Sequence, residues 1–195
     1  RLSIMEKDVA VNVDNFYLNE VTLIPKKGIQ ELRKFCENRD TIDLSFEKKQ
    51  MVVRDGDAIM VIRLKQGEFP HYKAIVDSVS LDNCVRINRV PFLESLKRIN
   101  LFTEDIFHTI QLQLEGQNMV LTSQNADLGN AKDEQKIDYS GVPLTLGFNC
   151  RYFIETLQVM DCETVEAYIS SENSPCLMKS DDDKGFVSIV MPMQL

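Results

Sequence analysis

Val187-Ser188-Ile189-Val190-Met191-Pro192-Met193-Gln194-Leu195 ends the sequence, and the rest of the chain is best read outward from it. Its first four residues are rich in β-branched side chains and read as a strand buried on both faces. Pro192 has no N–H to give to a ladder, so strand pairing stops there. A core strand therefore runs into an exposed, apolar Met-Pro-Met tip. Chain ends fray unless something ties them down, and an apolar end fused to a core strand points to the wall of a groove. The plainer alternative is a last strand with a ragged end.

Upstream, short apolar runs between polar breaks predict strands at Leu2–Met5, Val9–Val13 and Phe16–Ile24, then at Thr41–Phe46, Gln50–Val53 and Ala58–Leu64. Asp55-Gly56 supplies a tight turn between the last two. Pro25 suits a helix entrance, and Ile29, Leu32, Phe35 and Cys36 share one face of a helix over 26–37. Phe69-Pro70 ends this region, and the patternless segment through Ile75 is the expected domain junction, dividing the chain into 1–72 and 73–195. Ala74–Leu81 looks strand-like and leads to Asn88, a good N-cap for a helix over 89–100 burying Phe92, Leu93, Leu96 and Ile99. Strands follow at Thr109–Leu114 and Met119–Thr122, while Ser123–Gln135 reads as a loop or a twisted edge strand. After a strand at Leu144–Gly147, Asn149 caps a helix over 149–160 that buries Phe153, Thr156, Leu157 and Met160. Strands at Val165–Ile169, Cys176–Met178 and Val187–Met191 complete the pattern.

One unit thus recurs with a period of about 60 residues: a strand, a short helix, then antiparallel strands, beginning near Pro25, Asn88 and Asn149. Helices on one face of antiparallel sheets make an α+β fold. Lys27, Lys34, Arg98 and Arg151 are read as recurring at one place in each unit, on the helix face away from the core. Such a sparse basic surface can meet phosphates without reading bases.

The net charge is −8, which opposes tight non-specific binding to nucleic acid and leaves only local, weak contact. Five cysteines with no Cys-x-x-Cys pair argue against a disulfide framework or a zinc site. Cys36, Cys84, Cys150, Cys162 and Cys176 are expected to be reduced packing residues in a cytoplasmic protein. No run is apolar enough to span a bilayer, and Arg1 at the start fits a cropped or processed N-terminus. Neither His71 nor His108 sits in a nucleophile motif, no glycine-rich phosphate loop precedes a helix, and Asp181-Asp182-Asp183 reads as a solvated turn. The expectation is a protein without catalytic residues, metal or cofactor.

Four segments, in order, resemble bacterial sliding clamps, the β subunit of DNA polymerase III. They are Thr22-Leu23-Ile24-Pro25-Lys26-Lys27-Gly28, Gly67-Glu68-Phe69-Pro70-His71-Tyr72, Gly147-Phe148-Asn149-Cys150-Arg151-Tyr152 and Val190-Met191-Pro192-Met193-Gln194-Leu195. The resemblance implies the DNA-clamp fold, with 1–72 as the C-terminal half of the middle domain, 73–195 as the whole third domain, and the first domain missing. It implies a processivity factor that encircles duplex DNA non-specifically, with Lys26, Lys27, Arg33, Lys34, Lys97, Arg98 and Arg151 facing the DNA. The full-length protein would be a head-to-tail homodimer, contacting through Leu101 and Phe102. Its partners would be the catalytic subunit of DNA polymerase III, the clamp loader and other proteins bearing a clamp-binding motif. Their peptides would enter a groove formed by Leu2, Pro70, Ile75, Phe107, Asn149, Tyr152, Asn173, Pro175, Ile189, Val190, Met191, Pro192 and Met193. Two departures each remove a positive charge: Gln194 stands in place of the usual penultimate Arg, and Ala74 where many clamps carry a basic residue. A free-standing peptide-binding adaptor that does not encircle DNA is the alternative reading.

Overall fold

A computed structural model describes residues 1–7, 22–47, 49–103 and 106–194. The strand expected at Val9–Val13, and most of that at Phe16–Ile24, fall outside them. The chain forms two compact units, Ala10–His71 and Arg1–Val9 with Tyr72–Leu195. The first strand, β1 (Leu2–Met5), thus joins the larger unit and not the segment that follows it in sequence.

In the smaller unit, α1 (Lys26–Cys36) lies over an antiparallel meander of β2 (Asp43–Glu47), β3 (Gln50–Asp55) and β4 (Ala58–Arg63). Met51, Val53 and Ile62 are buried there, and Leu32 and Phe35 of α1 pack on them. Helix and sheet meet closely at Gly28, where a Cβ would lie 2.6 Å from Ile62 Cγ2. Gly56 turns the β3–β4 hairpin with φ +55°, a left-handed conformation that glycine adopts without steric cost.

The larger unit continues with α2 (Tyr72–Asp77), β5 (Cys84–Asn88), α3 (Arg89–Asn100), β6 (Thr109–Glu115), β7 (Asn118–Asn125) and β8 (Gly129–Asp138). Then come β9 (Leu144–Asn149), α4 (Cys150–Val159), β10 (Thr164–Tyr168), β11 (Cys176–Lys179) and β12 (Phe186–Val190). Nine strands form one antiparallel sheet in the order β1-β12-β11-β10-β5-β8-β7-β6-β9.

The duplication shows in how strands are exchanged. β5, which enters α3, pairs with β10 after α4; β9, which enters α4, pairs with β6 after α3. Asn88 and Asn149 occupy equivalent N-cap positions. Four residues on from each, Phe92 and Phe153 meet edge to face with centroids 6.0 Å apart, and Phe148 packs on Phe153 at 5.0 Å. These rings, with Leu96, Ile99, Leu157 and Met160, anchor the main core. The helix positions expected to be buried, Phe92, Leu93, Leu96 and Ile99 on α3 and Phe153, Thr156, Leu157 and Met160 after Asn149, are buried.

The exchange extends to the chain end. β8 returns to β5 through Ile137 and Asp138, and Met193, beyond β12, makes the matching bridge to Gly147 of β9, its N–H donating to the Gly147 carbonyl at 2.8 Å. The Met-Pro-Met tip is therefore tied down, and it joins the two ends of the sheet.

One expectation needs correction, and one alternative is resolved. Ala74–Leu81 is not a strand: it begins inside α2, and β5 starts only at Cys84. Val76 and Val79 pack on Tyr168, Leu177 and Ile189, so contact with the outer face of the sheet selects helix there. Ser123–Gln135 is not a loop: β7 and the ten-residue β8 run through it, and because among the described residues β8 meets β5 only at Ile137 and Asp138, its residues Gly129–Lys136 form an edge, the second of the two forms expected. The inward-facing positions of β8 include Asp133 and Gln135, which bond Arg98 and Ser95 of α3. Polar residues at core-facing positions hide the alternation that marks a strand.

Candidate functional site

β1 and β12 set Leu2 opposite Ile189, and by strand alternation Ile4 and Val187 continue the same face. On that face Ile189 is sealed beneath Val79 of α2's C-terminal flank, while the adjacent Ile75 is 43% exposed. Val190 points the other way, into the main core, and is fully buried. It is therefore removed from the expected groove wall: neighbouring residues on a strand cannot line the same face. Beyond the strand, Met191 is 53% exposed, and Pro192 and Met193 are half-buried.

The α4 entrance forms the next part of the surface. The Asn149 side-chain oxygen Oδ1 accepts the Arg151 N–H at 3.0 Å, and its Nδ2 donates to the Phe107 carbonyl at 2.8 Å. One side chain thus caps the helix and fixes the loop carrying the exposed Phe107. Tyr152 is 38% exposed, with the Arg1 guanidinium 5.5 Å above its ring; Arg1 also pairs with Glu155. A chain of hydroxyls ties this corner to the sheet. Ser3 and Ser188 are 2.8 Å apart, Ser188 and Thr156 are 2.9 Å apart, and Thr156 donates to the Tyr152 carbonyl at 2.8 Å. Asn173 borders a hollow with Met193, and Pro175 is half-buried just before β11. Pro70 belongs to the smaller unit.

A cavity of about 770 Å³ adjoins these residues between α2 and the β1–β12 pair. Ile4, Tyr72, Val76 and Val187 line it, with Lys73 and Lys184 among its polar groups. Sequence reasoning missed all of these, as well as Arg1. Their signal was available only as strand periodicity, Leu2 with Ile4 and Val187 with Ile189.

The basic residues do not recur as expected. Arg98 lies in the last turn of α3 and Arg151 in the first turn of α4. Aligning Asn88 with Asn149 sets Arg151 against Val90 and Arg98 against Val159, so the duplication does not explain them. Three of the seven cations are neutralised locally: Lys34 by Glu31 at 3.0 Å, Lys97 by Glu94 at 2.8 Å and Arg98 by Asp133 at 2.6 Å. Lys26, Lys27, Arg33 and Arg151 are exposed, with no carboxylate within ion-pair distance among the described residues. Leu101, at the end of α3, is 69% exposed, and Phe102 is half-buried.

Asp183 departs from the solvated-turn reading. It is buried, and its carboxylate accepts the backbone N–H groups of Asp161 and Cys162 just after α4. Burial opposes its ionisation, but these donors outweigh it and hold the carboxyl below its usual value. Burial also pushes the Cys150 and Cys176 thiols up to about 12, which suits packing and not nucleophilic chemistry. Among the described residues no His, Cys, Asp and Glu cluster is arranged to hold a metal ion, and no helix is long and apolar enough to cross a membrane.

Residues 80–194, which span the two units that begin near Asn88 and Asn149, match the family described as DNA polymerase III beta subunit, C-terminal domain. The chain belongs to that family. Its similarity to the beta sliding clamp of Rickettsia bellii is 28% identity over 209 aligned residues, covering all of this chain and 54% of the relative. With the beta sliding clamp of Pseudomonas putida it is 28% over 176 residues, covering 89% of this chain and 47% of the relative. The chain thus spans about half the length of the curated beta sliding clamps it matches. Among solved structures, the DNA polymerase III subunit beta of Pseudomonas aeruginosa superposes with a TM-score of 0.78 at 27% identity, over 88% of this chain and 47% of that one. The Bartonella birtlesii sliding clamp superposes with a TM-score of 0.85 over 99% of this chain and 55% of that one; at 22% identity this is a likeness of fold.

Proposed function

We propose that this chain is the peptide-binding half of a sliding clamp, a non-enzymatic processivity factor that in full length encircles duplex DNA and tethers its polymerase. By sequence, residues 1–72 then correspond to the C-terminal half of a middle domain and 73–195 to a complete third domain, although β1 is paired with β12 in the larger unit. The observation that carries the reading is the tied C-terminal segment. Met193 is bonded to Gly147, which holds Met191 and Pro192 as an apolar rim between β12, where Ile189 stands opposite Leu2, and the end of β9 that leads to Asn149. A rigid rim of this kind suits an extended Gln-x-x-Leu-Phe peptide from the polymerase catalytic subunit, the clamp loader or other motif-bearing partners. Leu2, Ile75 and Met191 take the Leu-Phe end above Ile189; Tyr152, Pro175, Pro192 and Met193 take the other end, with Asn173 at the margin.

Lys26, Lys27, Arg33 and Arg151 supply the weak phosphate contact that sliding needs, since tight contacts would act as a brake. Lys34, Lys97 and Arg98 contribute less, because each is already paired with a carboxylate. Leu101 and Phe102 form the head-to-tail contact between subunits. Supporting this, β8 meets β5 only at Ile137 and Asp138, leaving the rest of that edge near α3 open among the described residues. The local neutralisation of three basic side chains favours the second reading, an adaptor that uses the same groove without encircling DNA.

The test is calorimetric titration of a Gln-x-x-Leu-Phe peptide into wild type, Met191→Ala and a form lacking residues 191–195. Burying a Leu and a Phe side chain supplies roughly 3–6 kcal/mol before ordering costs. Met191→Ala is expected to lose about 1–3 kcal/mol of binding, and the truncation to abolish it while β12 still pairs. Equal affinity in all three would remove the basis for both readings.

A further inference from the structure

Past Met193 the surface changes character. A hollow of about 350 Å³ is lined by Thr145, Gly147, Asn173, Met193 and Gln194 with Glu172. Gln194 is shared with a second hollow of about 400 Å³, where Thr109, Gln111, Thr122 and Gln124 converge. A third, of about 280 Å³, shares Gln111, Thr122 and Gln124 with the second and reaches Asn130 and Lys132. The strand register puts these side chains on one face: Gln111 stands opposite both Thr122 and Gly147, and Gln124 opposite Asn130. Gly147 carries no side chain, and that dip lies beside Met193, which pairs along the open edge of β9. The result is a continuous trench of amides and hydroxyls. Its charges lie only at the ends, Glu172 at one and Lys132, paired with Glu134 at 2.7 Å, at the other.

The tail gives the trench a direction. From β12 outward it presents Met191, Pro192, Met193 and then Gln194. A peptide with its Leu-Phe end over Leu2 and Ile189 sends its Gln end, and whatever precedes that Gln, toward Gln194 and the trench. We propose that this trench is a second binding segment. It receives the residues immediately N-terminal to the groove motif, and the class it selects is uncharged hydrogen-bonding side chains: Ser, Thr, Asn and Gln. Amide and hydroxyl groups can satisfy such a flank directly or through water. A charged flank would leave solvent for a surface that holds no counter-charge along its middle. This inference rests on the groove reading above and adds to it a preference outside the motif.

Three peptides test it by calorimetry: the bare Gln-x-x-Leu-Phe motif, the motif preceded by a Ser/Asn/Gln flank, and the motif preceded by an Asp/Glu flank. On wild type the neutral flank is expected to tighten binding about fivefold to twentyfold, and the acidic flank not at all. In the double variant Gln111→Lys/Gln124→Lys the bare motif should bind as before, the neutral flank should lose its gain, and the acidic flank should acquire one. No gain from the neutral flank on wild type, or the same gain on the double variant, would overturn the proposal and leave the groove reading standing. No binding of the bare motif would overturn both.

Discussion

Replacing Asp183 by Asn tests whether one buried carboxylate holds the turn between α4 and β10. Asp183 Oδ1 accepts the Asp161 N–H at 3.0 Å, and Oδ2 accepts that of Cys162 at 3.2 Å. The amide keeps a single acceptor oxygen and turns its NH₂ toward a backbone N–H, so at least one charge-assisted bond is lost and one buried donor is stranded. Bonds to charged groups contribute about 1.5–3 kcal/mol each, and a stranded buried donor costs about 1–3 kcal/mol. Relaxation of the turn offsets part of this, and a net loss of about 2–4 kcal/mol is expected, lowering the Tm by roughly 10 °C for a unit of this size. The carboxyl is depressed in the folded state. Its contribution is therefore full above the unfolded value near 3.9 and is lost as pH falls through the folded value. Urea titrations followed by circular dichroism at pH 7, 5 and 3 should show the full gap between wild type and variant at pH 7 and 5, and a narrower one at pH 3. A gap below about 0.5 kcal/mol at pH 7, within the range of ordinary surface substitutions, or one that does not narrow in acid, would refute the reasoning.

Phe153→Ala removes the ring packed against both Phe92 and Phe148 and should cost about 3–5 kcal/mol; a urea midpoint little changed would show that the two halves do not share this core. Ser188→Ala breaks the hydroxyl chain from Ser3 to Thr156 and should cost about 1–2 kcal/mol in the same assay. Native thiol labelling followed by mass spectrometry should modify the half-buried Cys36 and Cys84 first, and Cys150, Cys162 and Cys176 only on unfolding; labelling of Cys176 as fast as Cys36 would contradict its burial.

Helix positions were the most legible part of the sequence. Leu96 and Ile99, or Leu157 and Met160, repeat at helical spacing behind an Asn, and any such stretch must bury that face somewhere. The candidate groove was legible only in part. Met191 was proposed from the apolar tip itself and Leu2 from resemblance to a family, whereas Arg1 over Tyr152 depends on where the first residue is carried by the pairing of β1 with β12. The basic surface was over-read, because sequence counts a cation without showing the carboxylate beside it. Asp133 stands 35 residues from the Arg98 it neutralises.

The sequence by itself determined the alternating class of elements, the duplication around Asn88 and Asn149, and the buried faces of α3 and α4. These follow from local periodicity and, at Asn149, from a side-chain cap, both of which act within a few residues; Asn88 holds the N-cap position without a side-chain bond. Tertiary structure alone decided that Tyr72–Asp77 is helix, that polar β8 is a ten-residue strand, that Ile189 and Val190 serve opposite faces, and that the terminal Met-Pro-Met is bonded to Gly147. Each of those outcomes depends on which strand edge or side chain arrives from far along the chain. Hydrogen-bond and burial energies at such contacts exceed the local preferences that a linear pattern records.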